Sequence, residues 1–223
     1  MLVKKIQRPR CTVLSAVSID GGMSAGRGAS SREFGALIPK RYNKVRDAER
    51  LRADAIMVGS NTAYVDNPNL LSPNPNIIRV VIDSKGITPV SHNLLSNDFA
   101  TLFFVTSKTP KSFLNAIRAR KNKQFVECGN GKVDLVKAFN ILYNLGIRRV
   151  LVEGGGLLIN HLLRDKLVDE IKLLYIPTIV GKDDAPRFAV GSENLFGKVK
   201  IAVKRARKLG NLVFVECGVL YEN

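Results

Sequence analysis

The sequence lacks the features that mark membrane proteins and metal-binding proteins. It has no uninterrupted apolar run near the roughly 18 residues that a membrane-spanning helix needs, and no basic segment followed by an apolar one opens it. Only three cysteines and two histidines occur, and none stands in a C-x-x-C or H-x-x-x-H pattern. We therefore expect a soluble, cytoplasmic protein without a metal site, in which Cys11, Cys128 and Cys217 pack as small apolar side chains.

Several catalytic and nucleotide-binding signatures are also missing. The chain has no G-x-x-x-x-G-K-[ST] motif, and no G-x-G-x-x-G motif follows its first apolar run. Neither a Ser/His/Asp set nor a pair of catalytic carboxylates is evident, which argues against hydrolytic chemistry. We interpret His92, in a polar loop, and His161, in a helical stretch, as structural residues.

The most unusual property of the composition is its charge. Lys and Arg number 35 and Asp and Glu 19, which gives a formal net charge of +16. Such a charge attracts phosphates, whether in nucleic acid, at a membrane surface or in small anionic ligands. The basic residues are spread along the chain and are not interleaved with aromatic side chains, so a solvated basic surface is favoured over a nucleic-acid platform.

Short apolar runs alternate with helical patterns over much of the chain. The runs predict strands at residues 12–17, 55–58, 77–82, 102–105, 124–127, 149–152, 170–176 and 212–219. Apolar residues at three- and four-residue intervals predict helices at residues 43–52, 110–120, 133–145 and 155–164. This alternation predicts an α/β fold with a mostly parallel central sheet flanked by helices, and antiparallel strands at the carboxyl-terminal edge. No linker or repeat interrupts the pattern, so we expect residues 1–223 to form a single domain.

The segment Glu153-Gly154-Gly155-Gly156 joins a predicted strand to a predicted helix. Glycines at such a junction let backbone amides approach an anion, and the helix N-terminus favours a phosphate there. The alternative is that one or two of these glycines only permit tight packing. Glu153 would be costly to bury unpaired, so it either contacts a ligand or is held by local amides, and we favour contact with a substrate.

Polar residues also follow other predicted strands. Gly59-Ser60-Asn61-Thr62 and Asp83-Ser84-Lys85-Gly86 lie just after the second and third runs, at the strand ends where open α/β sheets bind ligands. Residues 66–76 form a long loop of the kind that often carries function. Asp66 and Asn67, however, could equally be turn formers before a proline.

The first predicted strand is followed by Ser18-Ile19-Asp20-Gly21-Gly22. A hairpin-type turn is the plain interpretation, and a ligand loop is the alternative. The glycine-rich stretch after it contains Gly26, Gly28, Ser30 and Ser31, and we expect it to be mobile enough to act as a lid.

Taken in order, five stretches resemble the riboflavin-biosynthesis reductases. They are Ser18-x-Asp20-Gly21, AIMVGSNT at residues 55–62, Asp66-Asn67-Pro68-x-Leu70, RVVIDS at residues 79–84, and LVEGGG at residues 151–156. The resemblance covers nearly the whole chain and is strongest to the stand-alone archaeal type, which is similar to the reductase half of bacterial bifunctional enzymes. Five motifs in the right order are far more specific than any one of them.

The resemblance implies a dihydrofolate-reductase-like fold, NADPH as cofactor and a homodimer. The implied reaction converts the ribosylamino group of 2,5-diamino-6-ribosylamino-4(3H)-pyrimidinone 5′-phosphate to a ribitylamino group, by hydride transfer to C1′ of the opened sugar. The main task of such a protein is to align two bound molecules, which agrees with the lack of an evident acid-base set.

The resemblance also implies roles for individual residues. On the cofactor side these are Thr62, Asp66, Ser84, Lys85 and Val133, with Gly154, Gly155, Gly156 and Leu157 at the pyrophosphate. On the substrate side they are Ser18, Asp20, Ser30, Leu70 and Glu153. No catalytic residue is evident, and Glu153 and Asp20 are the candidates.

Two residues depart from the family pattern. Gly22 stands where family members commonly have lysine, so any charge that this lysine supplies must come from elsewhere or be dispensable. Asn61 stands where glycine is common, which puts little in doubt. The Gly22 change leaves open a second hypothesis, a reductase of the same fold acting on another pterin or pyrimidine. The net charge leaves open a third, a basic nucleic-acid-binding protein.

Overall fold

The structure, a computed structural model, describes residues 7–222. Its strands are β1 (Arg10–Ser18), β2 (Ala55–Gly59), β3 (Ile78–Ile82), β4 (Thr101–Val105), β5 (Lys123–Glu127), β6 (Arg149–Val152), β7 (Glu170–Ile176), β8 (Val199–Leu209) and β9 (Leu212–Tyr221). They form one nine-stranded sheet in the order β5-β4-β3-β2-β6-β1-β7-β9-β8. The strands β1 to β7 are mutually parallel, whereas β9 runs antiparallel to both β7 and β8.

The helices are α1 (Lys40–Arg52), α2 (Ser60–Asp66), α3 (Asn93–Ser96), α4 (Lys111–Arg118), α5 (Leu135–Asn144) and α6 (Gly156–Arg164), and a 3-10 helix, Ser31–Leu37, precedes α1. The sequence dictates both ends of α5. The Asp134 carboxylate caps its first turn by accepting from Lys137 N at 2.9 Å, and Gly146 follows its end with a φ of 88°. Within residues 7–222, no helix has the length and apolarity needed to cross a membrane.

The position of β6 decides where a ligand can bind. After β1 the chain builds β2, β3, β4 and β5 outward on one side, and it then returns to insert β6 between β1 and β2. In parallel sheets, ligands bind at the carboxyl ends of the strands, next to such a reversal of strand order. The fold therefore points to the carboxyl end of β6 as the place for a site.

Both faces of the sheet are covered, which explains the nearly continuous apolar composition of its central strands. On one face, α5 and α6 pack over Met57 and Val152. On the other face, α4 covers Val58, while α1 and the 3-10 helix cover Leu14 and Leu151. The covering helices thus form the walls of any cleft at the strand ends.

The three cysteines are all buried in the core cluster under α5 and α6, and none forms a disulfide. Burial raises the pKa of the Cys11, Cys128 and Cys217 thiols above the ordinary value. The prediction that they pack as small apolar side chains is confirmed.

Two buried cations lie near the amino ends of β3 and β5, on the side of the sheet opposite to the carboxyl ends of the parallel strands. Arg79 is 1% exposed, and its Nη2 donates to Asn97 Oδ1 at 2.7 Å and to Thr101 Oγ1 at 2.6 Å. Lys123 is 5% exposed, and its Nζ donates to the carbonyl oxygens of Asn97 at 2.6 Å and Phe99 at 2.5 Å. Neither forms a salt bridge with another residue of the described range. Burial lowers the pKa of Arg79 to about 10, and burial together with the nearby Arg79 charge lowers that of Lys123 to about 8.

The predicted α/β fold, with a mostly parallel sheet and antiparallel carboxyl-terminal strands, is confirmed, and every predicted strand is present. The predicted helix at residues 43–52 begins earlier, at Lys40, and the one at residues 133–145 begins later, at Leu135. Four elements were not predicted: the 3-10 helix, α2, α3 and β8. The side chains of β8 at the sheet edge are mostly exposed, so its sequence lacks the apolar alternation of a half-buried strand. The α2 helix begins with Ser60, Asn61 and Thr62, which are weak helix formers.

Candidate active site

Glu153, Gly154 and Gly155 form the junction between β6 and α6. Gly154 and Gly155 have φ values of 93° and 90°, which side chains with a Cβ rarely adopt. Gly155 is the N-cap of α6 and offers no capping side chain. The first backbone amides of α6 therefore remain available to an anion.

The three glycines have different surroundings. An added Cβ at Gly155 would lie 3.4 Å from Thr62 Oγ1, and one at Gly154 would lie 3.7 Å from the same atom. An added Cβ at Gly156 would instead collide with the carbonyl oxygen of Arg187. Gly156 is therefore required for packing, whereas Gly154 and Gly155 keep the space in front of Thr62 open. The packing interpretation therefore holds for Gly156, and the interpretation as open backbone for a ligand holds for Gly154 and Gly155.

A cleft of about 110 Å³ opens beside these glycines, and we call it the glycine cleft. Its lining includes Asn61, Thr62, Asp66, Glu153, Gly154, Gly155 and Gly156. The structure thus brings together most of the residues that the sequence assigned to the cofactor. Leu157 follows on the first turn of α6 and is 56% exposed.

A second cleft, of about 330 Å³, lies between the sheet and α1, and we call it the α1 cleft. Its walls include Ala16 of β1, Arg32 of the 3-10 helix, and Tyr42 and Arg46 of α1. Glu153 and Gly154 line both clefts. Two ligands bound in these clefts would therefore meet at Glu153-Gly154.

Glu153 is held by a guanidinium and not by local amides. Arg50 donates from Nε to Glu153 Oε1 at 2.7 Å and from Nη2 to Oε2 at 2.6 Å, and the two side chains are 12% and 13% exposed. Burial opposes the charge of Arg50 and is the largest single effect on it, but the bonds to Glu153 together with the charges of Glu153 and Asp47 outweigh it, so the pKa of Arg50 lies above its ordinary value. Arg50 also donates to the carbonyl oxygen of Leu71. This fork-to-fork pair fixes the Glu153 carboxylate at the junction of the clefts. Its contact with a substrate stays a prediction.

Asp66 joins the end of α2 to the segment before α1. Its Oδ1 accepts from Ser30 Oγ at 2.7 Å and from Ser31 N at 2.9 Å, and its Oδ2 accepts from Ser31 Oγ at 2.8 Å. Asp66 and Ser30 were assigned to cofactor and substrate, respectively. The structure shows that they bind each other; Asp66 lines the glycine cleft, Ser30 lines neither cleft, and their contacts with ligands stay predictions. The predicted lid stretch ends here, in the 3-10 helix.

Ser18 and Asp20 form a closed turn rather than an open site. The buried Ser18 Oγ donates to Asp20 Oδ1 at 2.6 Å and accepts from Gly22 N at 2.8 Å. The Asp20 oxygens also accept from the backbone amides of Val180 at 3.1 Å and Gly181 at 2.8 Å. The Ser18 hydroxyl and these amides hold the pKa of Asp20 well below its usual range, which argues against Asp20 as a proton donor. Both residues are better explained as turn formers than as substrate contacts.

Gly22 has a steric reason for departing from the family pattern. An added Cβ would lie 2.8 Å from Val180 Cγ2 and 2.9 Å from Ser18 Oγ, so a lysine does not fit without a shift of these side chains. Ser18 N donates to the carbonyl oxygen of Gly22 at 2.8 Å, which closes the predicted hairpin-type turn, and Gly22 also forms an isolated antiparallel bridge with Arg187. Any positive charge in the site must come from other residues.

Ser84, Lys85 and Val133 lie farther along the same edge of the sheet. Ser84 Oγ accepts from Val133 N at 3.1 Å, which joins the end of β3 to the segment before α5, and Lys85 is exposed. The end of β3 is separated from the end of β6 by β2, so the distance between them is about 10 Å at the usual strand spacing. These residues lie outside the glycine cleft, but a ligand that extends from it along the carboxyl ends of the strands would reach them.

Leu70 is not part of either cleft. It is 4% exposed, packs in the core cluster beneath α4, and has a φ of 50°. The prediction of Leu70 as a substrate contact therefore finds no support in the geometry, because its side chain fills the core. His92 Nδ1 lies 3.2 Å from the carbonyl oxygen of Ala63, in agreement with a structural role.

The residues that α1 contributes to the site were not predicted from the sequence. Tyr42, Arg46 and Arg50 are four residues apart and thus share one face of the helix, which borders the α1 cleft. By charge pattern alone, these arginines are predicted to belong to a solvated basic surface. The signal that could have identified Arg50 is the need of a buried Glu153 for a partner, although 103 residues separate the two.

Comparison with known proteins adds independent evidence. The family model described as the RibD C-terminal domain matches residues 9–215. A 2,5-diamino-6-ribosylamino-4(3H)-pyrimidinone 5′-phosphate reductase of Aquifex aeolicus is 34% identical over 199 residues, which are 87% of this chain and 88% of that protein. The protein of the same name from Methanothermobacter thermautotrophicus is 31% identical, over 94% of this chain and 97% of its own.

Solved structures share the fold. A pyrimidine reductase-like protein of Corynebacterium diphtheriae has a TM-score of 0.77 at 18% identity, covering 96% of this chain and 93% of that one. The Saccharomyces riboflavin biosynthesis reductase Rib7 has a TM-score of 0.71 at 22% identity, over 99% and 93% of the two chains. Acinetobacter baumannii RibD has a TM-score of 0.77 at 17% identity, and the match spans 58% of its length. The predicted dihydrofolate-reductase-like fold is confirmed.

Proposed function

Because the chain belongs to the RibD C-terminal domain family, we propose that it reduces 2,5-diamino-6-ribosylamino-4(3H)-pyrimidinone 5′-phosphate to the ribitylamino product. It is an oxidoreductase of riboflavin biosynthesis that uses a nicotinamide cofactor. The choice of NADPH and the transfer of hydride to C1′ of the opened sugar are parts of the proposal.

One observation carries this proposal, namely the meeting of the two clefts at Glu153-Gly154. A bimolecular reduction needs two sites that share a border, because the reacting atoms must come within contact distance. The glycine cleft offers uncapped amides and bare backbone, and the α1 cleft offers charged and aromatic side chains. This difference suits a dinucleotide on one side and a small polar substrate on the other.

The residues of the glycine cleft fit a dinucleotide phosphate. Gly154 and Gly155 leave space that any side chain would fill, and no capping side chain competes with an anion for the first amides of α6. In our proposal these groups hold the pyrophosphate, with Thr62 beside them and Leu157 over its edge. Ser84, Lys85 and Val133 take the adenosine end, with Lys85 near the 2′-phosphate of NADPH.

The chain's own contribution to the reaction is alignment. When bound, the nicotinamide supplies a hydride. Arg50 holds the Glu153 carboxylate in one orientation, so that it faces a molecule in the α1 cleft. Asp66 holds Ser30 and Ser31 and thereby fixes the wall that the two clefts share. Fixed walls reduce the freedom that two bound molecules would otherwise have to lose in the reaction step.

The proposal extends to the organisation of the protein. We expect residues 1–223 to act as one reductase domain, as a homodimer and in the cytoplasm. Size-exclusion chromatography with light scattering checks the oligomeric state, and a mass equal to one chain would contradict the dimer.

A direct assay tests the proposed function. Purified protein is mixed with NADPH and the ribosylamino pyrimidine phosphate, and the loss of nicotinamide absorbance is followed. We expect oxidation that depends on the pyrimidine. Oxidation with a dihydropterin but not with the pyrimidine phosphate would instead support the second hypothesis, a reductase of the same fold with another substrate.

A further inference from the structure

The positive charges around the α1 cleft are not equivalent. Arg50 is neutralised by its two bonds to Glu153. Arg46, one turn earlier on the same face of α1, lines the cleft, and its carboxylate contact is the adjacent Asp47 at 3.4 Å. That contact is long, and the Asp47 side chain is 46% exposed, so it holds the Arg46 guanidinium weakly.

Tyr42 adds a hydrogen-bond donor one turn before Arg46. It is 7% exposed and lines the α1 cleft, and its hydroxyl forms no hydrogen bond with the side chains and backbone that the structure describes, which leave out the side chains of residues 36 and 41. Burial, and then the nearby charge of Glu153, raise the pKa of Tyr42 against the opposing effect of Arg46 and Arg50. The hydroxyl therefore keeps its proton at neutral pH. A largely buried donor of this kind gains from an acceptor that a ligand brings.

Arg32 supplies a further positive charge from the 3-10 helix. Its side chain lines the α1 cleft and donates from Nη2 to the carbonyl oxygen of Asn67 at 2.9 Å. It forms no salt bridge with another residue of the described part of the chain. Since a lysine at position 22 would require the side chains of Val180 and Ser18 to shift, these α1-cleft residues are the candidates for the charge that it would have carried.

We propose that Arg46 and Tyr42, together with Arg32, form the subsite that binds the phosphate group of the substrate. A guanidinium presents a planar fork of donors that matches phosphate oxygens, and the tyrosine hydroxyl adds one more donor. The cleft of about 330 Å³ lies within the usual range for small-ligand sites. The inference rests on the proposed function, because it takes the α1 cleft as the substrate side of the active site.

Binding of ribose 5-phosphate tests the subsite without any turnover. Calorimetric titration compares ribose 5-phosphate with ribose for the wild type, Arg46→Gln and Arg52→Gln. Arg52 is the matched control, because it lies on the same helix but outside the α1 cleft. We expect the wild type to prefer the phosphate ester, and Arg46→Gln to weaken its binding about 10- to 100-fold. Arg52→Gln should change the affinity for ribose 5-phosphate less than about twofold. An unchanged affinity in Arg46→Gln, or an equal loss in Arg52→Gln, would overturn the subsite.

Steady-state kinetics give a second, independent readout. Tyr42→Phe removes only the hydroxyl and should raise the KM for the pyrimidine phosphate about 3- to 10-fold, with little change in kcat or in the KM for NADPH. Neither Tyr42→Phe nor Arg46→Gln should alter the KM for the dephosphorylated pyrimidine. An equal rise in KM for both pyrimidines would overturn the phosphate assignment. If the wild type binds ribose 5-phosphate but does not oxidise NADPH with the pyrimidine phosphate, the proposed function fails and the anion site stands.

Discussion

The Arg50–Glu153 pair offers the sharpest test of how the junction is built. Glu153→Gln replaces a carboxylate that accepts two bonds from Arg50 by an amide that can accept only one of them. The Arg50 side chain is 12% exposed, so its charge would be left largely buried with the Leu71 carbonyl oxygen as its other acceptor. Breaking one side of a buried pair costs about 3 to 5 kcal/mol. Because one bond and some solvent access remain, we expect a loss of about 3 kcal/mol in the free energy of unfolding.

The assay is a double-mutant cycle. Urea unfolding followed by circular dichroism gives the free energy of unfolding for the wild type, Glu153→Gln, Arg50→Gln and the double variant. For a chain of this size, a loss of about 3 kcal/mol corresponds to a fall of about 6 to 12 °C in Tm. The double variant should be more stable than the sum of the single losses predicts, by at least about 1.5 kcal/mol. Additive losses, within about 0.5 kcal/mol, would refute the view that these two side chains hold each other.

Two further predictions concern single charged residues. Lys85→Gln should raise the KM for NADPH about 10-fold and leave the KM for NADH unchanged, since Lys85 is assigned to the 2′-phosphate. Lys121→Gln is the control, because Lys121 lies just before β5, near the amino ends of the parallel strands. An equal effect of Lys85→Gln on both cofactors would count against the assignment. Lys123 has a folded-state pKa of about 8, against an ordinary value of 10.5. Between pH 8 and pH 10.5 the folded state therefore binds fewer protons than the unfolded state. The free energy of unfolding should rise as the pH increases above about 8. Urea unfolding of the wild type and Lys123→Met at pH values below and above 8 should show the wild type gaining relative to the variant, whereas a constant difference would show that the amine titrates normally.

Local patterns in the sequence were sufficient to predict most of the fold. Apolar runs and glycine stops identified the central strands and α5, because both depend on residues close together in the chain. The edge strand β8 was missed, since its exposed Lys and Arg side chains carry no burial pattern. The α2 helix was missed because it is stabilised by packing of Ala63 against the sheet and not by its weak helix formers.

The site was predictable in its backbone and much less so in its side chains. The glycines and Thr62 form the glycine cleft as expected, because strand ends of a parallel sheet converge at one edge. Which polar side chains bind each other could not be inferred from spacing. Asp66 binds Ser30 across 36 positions, and Arg50 binds Glu153 across 103. Such long-range pairs give Asp66 and Ser30, both predicted ligand contacts, a partner within the chain, and only Asp66 of the two lines the glycine cleft.

The central claim is that the glycine side of the junction serves the cofactor and the Glu153 side serves the substrate. Steady-state kinetics of Gly155→Val and Glu153→Gln, assayed well below their melting temperatures, test it most directly. Gly146→Val is the control for Gly155→Val, because Gly146 has a similar φ of 88° with nothing near its Cβ position. We expect Gly155→Val to raise the KM for NADPH at least 10-fold, and Glu153→Gln to lower turnover while leaving the KM for NADPH within about twofold. Equal losses of cofactor binding and of turnover in both variants would contradict the division of the junction between two ligands.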